Sequence, residues 1–234
     1  MGRNRRSGDR RLTANRRVMS FAACGGKLYA SIYDAIVVRT DGANPSWRTF
    51  YQYSGPPLPH QSSGFRALTC VPNLNRSGSM LIAALEGNTI DIYQFPLDGS
   101  QPTIELHTSN FLATQLGVWV GYGIAGYNDM IGYPQSGSPS CPDLLIGLSI
   151  VANYPNDYEN YYPIPTFLIR HCNGVYGFRT IDANIAPTPS PIATRALAVS
   201  EFPGDPAGTL YTGGYGAHHM PAHNTDWIYQ GIPK

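Results

Sequence analysis

Three imidazoles and a carboxylate fall within nine residues near the C-terminal end, in His218-His219-Met220-Pro221-Ala222-His223-Asn224-Thr225-Asp226. His218, His219, His223 and Asp226 are credible ligands for zinc, copper or iron, which take neutral imidazole and carboxylate donors. His219 and His223 stand four apart, the spacing that sets two ligands on one helix face. Pro221 lies between them, however, and removes a helix hydrogen bond. A zincin-type helix also needs Glu after its first His, where this chain has Met220. The segment therefore predicts a divalent-metal site on a loop or, as the competing reading, a polar connection whose imidazoles hydrogen-bond turn carbonyls.

Other residues suit ligand binding. Arg17, Arg66 and Arg195 each open a similar apolar run. Brought together they would form a basic cluster for an anionic ligand, since guanidinium forks match carboxylates. Taken singly, each would pair with an acidic neighbour such as Glu86 or Glu201. Asp129 follows Tyr127-Asn128 at what reads as a strand end, where its carboxylate could join loop carbonyls around Ca²⁺ or make an ordinary Asx turn. Tyr158 and Tyr161 belong to a long polar and aromatic stretch beginning at Tyr154, a composition suited to sugar stacking or protein contact. The sequence holds no Gly-x-Ser-x-Gly elbow, phosphate loop or Rossmann fingerprint. His171-Cys172 are adjacent, and strand neighbours point to opposite faces.

Of the four cysteines, no two show C-x-x-C spacing, so a zinc ribbon or thioredoxin-type centre is unsupported. Cys24 and Cys70 lie in apolar strand-like runs and read as free buried thiols. Cys141 and Cys172 lie near turns and could pair in an oxidising compartment.

The elements that must position these residues are strands. The 234 residues suit one domain, and a 42% hydrophobic content can build a core. Only 13% are charged, while Gly numbers 25 and Pro 20, so turns abound and helical surface is scarce. No apolar run reaches the ~18 residues of a membrane span. The net charge of +1 hides an asymmetry: seven of the 16 basic residues lie within positions 1–17, leaving a body charge of −5. Residues 1–16 are therefore expected to be a disordered basic tail, the one segment able to bind nucleic acid. No clear signal peptide follows, which favours the cytoplasm without fixing the compartment.

The remaining chain repeats. Arg66-Ala67-Leu68, then Ser79-Met80-Leu81-Ile82-Ala83-Ala84-Leu85, then Ile90-Asp91-Ile92-Tyr93-Gln94 are matched by three later runs. These are Arg195-Ala196-Leu197, then Leu210-Tyr211-Thr212, then Trp227-Ile228-Tyr229-Gln230. Weaker copies begin near residues 17 and 121, each with four short runs separated by Gly, Pro, Asn and Asp. On these residues, and on Asp41-Gly42 with Trp47, residues 17–231 resemble β-propeller repeats of the kelch, sialidase-like and WD-repeat kinds. Thr225-Asp226-Trp227 is similar to a WD-repeat ending. The resemblance implies an all-β chain of about four to five four-stranded blades over residues 17–234, incomplete or imperfectly closed. In it, small residues such as those of 121–126 would crowd the axis, and Tyr51, Phe95 and Phe178 would fill the outer gaps between blades.

The expected function is a non-enzymatic module that recognises a glycan, peptide or protein through loops on one face. One alternative is a metal-dependent propeller enzyme using the histidine loop. A second is a viral coat or nucleic-acid-packaging protein with an arginine arm, since phosphate neutralisation needs only flexible cations.

Overall fold

The computed structural model describes residues 17–58, 63–73, 78–87, 90–116, 126–133, 141–149, 167–179, 192–216 and 225–231. The chain is all-β, and its strands pair antiparallel, nearly all with their neighbours in sequence. β1 (Val18–Cys24), β2 (Lys27–Ile32), β3 (Ala35–Arg39) and β4 (Trp47–Gln52) make the first sheet. β5 (Gly64–Pro72), β6 (Ser79–Glu86), β7 (Ile90–Pro96) and β8 (Thr103–His107) make the second. A helix the composition did not foretell, α1 (Thr108–Leu116), follows β8. β9 (Gly126–Tyr133), β10 (Asp143–Ser149), β11 (Phe167–Arg170) and β12 (Tyr176–Arg179) form a third group. The fourth has β13 (Ile192–Val199), β14 (Leu210–Gly216) and β15 (Thr225–Gly231), joined to the third through the Ser149–Ala193 pair. No sheet closes on itself among the described residues.

Alternation along the strands explains how these groups stack. In β6, Leu81, Ala83 and Leu85 face a core shared with Tyr29, Ile36 and Val38 of the first sheet. Met80, Ile82 and Ala84 face a second core, shared with Met130, Leu144, Ile146 and Leu148. A strand buried on both faces must read as an unbroken apolar run, as this one does. A third core joins Leu145, Phe167 and Ile169 to Leu197 and Leu210 of the last group. Between the first two sheets the Tyr51 and Phe95 rings meet edge-on at 4.9 Å. Phe178 packs against the second core.

The first strand of each group lies beside the first strand of the next, β1 against β5, β5 against β9 and β9 against β13. Leu68 N–H donates to Ser20 Oγ at 3.1 Å across the first of these steps. All four strands also carry one extra residue, a bulge that bends and twists the strand. It is Met19 in β1, Arg66 in β5 and Arg195 in β13. In β9 it falls between Tyr127 and Met130, which pair with Leu148 and Ile146. The bulges correct one alignment read from sequence: Met19, not Arg17, is the counterpart of Arg66 and Arg195.

Entry to β5 depends on Gly64. Its φ is +119°, and a Cβ there would lie 2.2 Å from the Tyr33 carbonyl oxygen. That carbonyl accepts the Phe65 N–H at 2.8 Å, so the chain must pass close to it. Only glycine fits both demands.

Candidate binding cleft

The β1–β2 turn, the end of β5, the start of β6 and the β7–β8 turn converge at one end of the first two sheets. Between them lies a cleft of about 330 Å³, lined by Gly25, Lys27, Tyr29, Asn73, Gly78, Ser79, Leu97 and Asp98. That volume falls at the low end for small-molecule sites. Its walls mix one ammonium, one carboxylate, an amide and a hydroxyl with the apolar Leu97 and the buried Tyr29.

Local structure holds each wall. Asp98 Oδ1 accepts the Ser100 N–H at 2.9 Å, fixing the β7–β8 turn. Asn73 N–H donates to Gly78 O at 3.0 Å where β5 and β6 begin to pair. Tyr29 is 3% exposed and meets Phe50 edge-on at 5.1 Å. Burial raises its phenol above the usual tyrosine range, against the opposing pull of Arg48. Gly25, at φ +55°, lets the β1–β2 turn approach Leu97, whose Cδ1 would lie 2.7 Å from any Cβ placed there. Behind that turn, Cys24 and Cys70 form a disulfide between β1 and β5.

That bond overturns the expectation of free buried thiols. Cys141 and Cys172 are also bonded, and no free cysteine remains. Two residues in apolar strands gave no pairing signal, because only the contact of β1 with β5 brings them within reach. With all four cysteines in disulfides, the chain offers no thiolate as nucleophile or metal ligand.

Two imidazoles are oriented by buried carboxylates. His107 Nδ1 and Asp91 Oδ1 share a hydrogen bond of 2.8 Å, and His171 Nδ1 and Asp143 Oδ2 one of 2.9 Å. The Cys172 N–H donates to the second Asp143 oxygen at 3.0 Å, which ties this pair to its neighbouring disulfide. Each His is partly exposed while its Asp is buried. The arrangement holds one nitrogen of each imidazole in place, as in general-base or metal-ligating histidines. Yet among the described residues no group of three His, Cys, Asp or Glu stands close enough to hold a metal.

Of the residues singled out from sequence, Arg66, Asp129 and Arg195 lie at the bulges of the side-by-side strands β5, β9 and β13. Arg66 Nε donates to Glu86 Oε2 at 2.7 Å, so its cation is engaged within its own sheet. Arg195 lies at the β13 bulge. Asp129 lies inside β9, not beyond a strand end, because β9 starts at Gly126 and runs on to Tyr133. Asp226 is in β15, opposite Tyr215. Tyr158, Tyr161, His218, His219 and His223 lie outside the described residues, as do the tail 1–16 and the small-residue run up to 125. No helix among the described residues is long and apolar enough to cross a membrane.

Sequence reasoning missed the cleft because its residues come from three separate turns. It also missed the ion pair in which Arg170 donates from Nε and Nη2 to both oxygens of Glu105, at 2.8 and 2.6 Å. Tyr176 O–H donates to the same carboxylate at 2.8 Å. This cluster joins β8 to β11 and β12. Burial works to lower the Arg170 pKa, but the Glu105 hydrogen bond and charge outweigh it and raise it. Compared with known proteins, the chain matches no family model and no curated protein.

Proposed function

We propose that the chain is a β-propeller-type binding module that holds a glycan, peptide or protein ligand at the turns on one face. Three features support the architecture: face-to-face stacking in chain order, first strands side by side, and a bulge in each first strand. Radial repetition of four-stranded units has these properties, because the first strands crowd a common axis while the others fan outward. Among the described residues the fourth group contributes three strands, and β13 does not come alongside β1 as the other first strands do. On this reading the four groups are four blades of one arc.

The observation that carries the binding reading is the cleft between the first two sheets, where Lys27 and Asp98 bring both signs of charge among polar and apolar side chains. The two disulfides favour an oxidising compartment over the cytoplasm. The metal-enzyme alternative rests on His218, His219 and His223 alone, and the packaging alternative on the tail. Neither gains support from the described residues.

Glycan and peptide arrays probed with the purified oxidised chain test the reading. Saturable binding to one ligand class is expected. Turnover of a substrate with no array binding would overturn it.

A further inference from the structure

The two ends of the stack of sheets carry an inference about a partner, which rests on the propeller-type architecture proposed above. We infer that two copies of the chain join head to tail, β1 of each seated on β13 of the other, and so close one ring of eight blades.

The recurring first strand shows what each end lacks. Counted from the bulge, Phe21 of β1 stands where Leu68 stands in β5 and Leu197 in β13, two residues beyond Met19, Arg66 and Arg195. Leu68 is buried against the first sheet and Leu197 against the third group, in each case the group that comes before. Phe21 alternates with Ala22, which faces the second sheet, so its ring points away from that sheet. It is 57% exposed. Ala23 is exposed on the same face, whereas its counterparts Cys70 and Val199 pack onto those two cores. The other end mirrors this. Three residues beyond the bulge, Ala22 of β1 is buried against the second sheet, but Ala198 of β13 is exposed. β1 and β13 thus each present one uncovered half of an interface that the chain builds three times between them.

The face of the first sheet that turns away from the second is apolar. Ala30, Ile32, Ala35 and Val37 cluster there with Trp47, whose ring lies 6.3 Å from that of Phe21. Val18, Met19 and Phe21 are three of the six large hydrophobics exposed among the described residues, and all three lie in β1. Soluble monomers seldom leave such a patch in water. The partner it lacks is the far face of a preceding group, and the chain carries one such face uncovered, on β13. Its own β13 does not supply it, since Phe21 and Ala198 are exposed in the same chain and the two strands do not lie side by side. β13 of a second copy does. The small Ala198 suits the bulk of Phe21, as the small Ala22 shares a core with Phe65 and Leu68. A two-fold axis makes the two contacts identical, so every half-interface is paired and no end stays open. Two arcs of four give a ring within the usual range of about four to eight blades, which three arcs would exceed.

Analytical ultracentrifugation of the full oxidised chain over a range of concentrations tests the inference. A particle of twice the chain's mass is expected. Phe21→Asp and Ala198→Arg alter residues exposed in the single copy, so each keeps the fold, which circular dichroism verifies. Each is expected to weaken the dimer about thirtyfold or more, as loss of a central apolar contact does. Val175→Asp changes an equally exposed residue on the β11–β12 turn and leaves the dimer intact. Mixing the two weakened variants restores it, because one contact of the mixed ring is then unaltered and the other brings the introduced carboxylate and guanidinium together. A chain monomeric at every concentration would overturn the inference, and a loss of stability in Phe21→Asp would then assign the cover to the same chain. A dimer that survives both variants would overturn the surface. One that both variants dissociate and mixing does not restore would overturn head-to-tail pairing. Particles that keep growing with concentration would overturn the closed ring of two. A dimer that obeys the variants but scatters X-rays as a rod, not a disc, would overturn the propeller architecture itself. The binding-module reading fails separately, by the absence of any array ligand together with catalytic turnover, whatever the oligomeric state.

Discussion

Cys24 and Cys70 are bonded across the boundary between two sheets, with Cα atoms 5.2 Å apart and a sequence separation of 46. The bond closes the step from β1 to β5 covalently, next to the Ser20–Leu68 hydrogen bond. Cross-linking a loop of this length removes unfolded-state entropy worth about 4 kcal/mol. The variant Cys24→Ser with Cys70→Ser should therefore lose about that much in urea unfolding of the otherwise oxidised protein. A loss below about 1 kcal/mol would mean that core packing alone fixes the two sheets.

Arg66 and Glu86 make a second testable pair. The Glu86 side chain is 6% exposed and that of Arg66 20%, so the contact is mostly screened from water. Hydrogen bonds to charged groups of this kind contribute roughly 1.5–3 kcal/mol. Arg66→Ala should cost about 2 kcal/mol, and a double-mutant cycle with Glu86→Gln should recover most of it as coupling. Ligand affinity should not change. Weakened binding without loss of stability would restore Arg66 to the ligand-binding set.

The strands were legible in sequence because their physics is local. β6 and β10 read as apolar runs, and turn residues bounded them. The exposed β8 was not marked, since its residues pack on one side at most. Neither was α1, whose Leu and Ala positions are too few to make a periodic face. The arginine positions showed that units recur, but spacing alone could not reveal that the recurring feature is a bulge. Residue type aligns Arg17 with Arg66, whereas strand pairing aligns Met19 with it. The cleft was illegible for another reason: Lys27, Asn73 and Asp98 share no spacing, and only sheet stacking brings their turns together.

Alkaline pH should expose the tyrosine packing between the first two sheets. Burial raises the phenols of Tyr51, Tyr53 and Tyr93 above the ordinary value of 10.0. Neighbouring Tyr51, Asp91 and Tyr53 add to the shift at Tyr93. The folded chain thus holds protons that the unfolded chain releases. The sign follows: this stability is complete below pH 10.0 and is lost as pH rises toward the folded-state values. Tyr93→Phe should flatten the alkaline limb of stability against pH. An unchanged limb, with normal ultraviolet titration of all the tyrosines, would refute it.

Glycine substitutions separate steric from conformational cost. Gly64 and Gly78 share nearly the same backbone angle, φ +119° and +117°. A Cβ at Gly64 would strike the Tyr33 carbonyl, while at Gly78 it meets nothing within 4 Å. Gly64→Ala should cost about 2–3 kcal/mol and Gly78→Ala about 1 kcal/mol, measured by thermal unfolding. Equal losses would show that backbone conformation alone decides both sites.

Hydrogen exchange should rank the sheets. β6 is bonded on both sides, to β5 and β7, and its residues Leu81 to Leu85 are at most 1% exposed. Its amides can exchange only when both cores open, which is close to global unfolding. β15 pairs with β14 alone among the described residues. An edge strand opens without disturbing its neighbours, so β15 amides should exchange faster than those of β6 by a wide margin. If β15 proves as protected as β6, something beyond the described residues covers that edge. The proposed propeller ring requires such a cover.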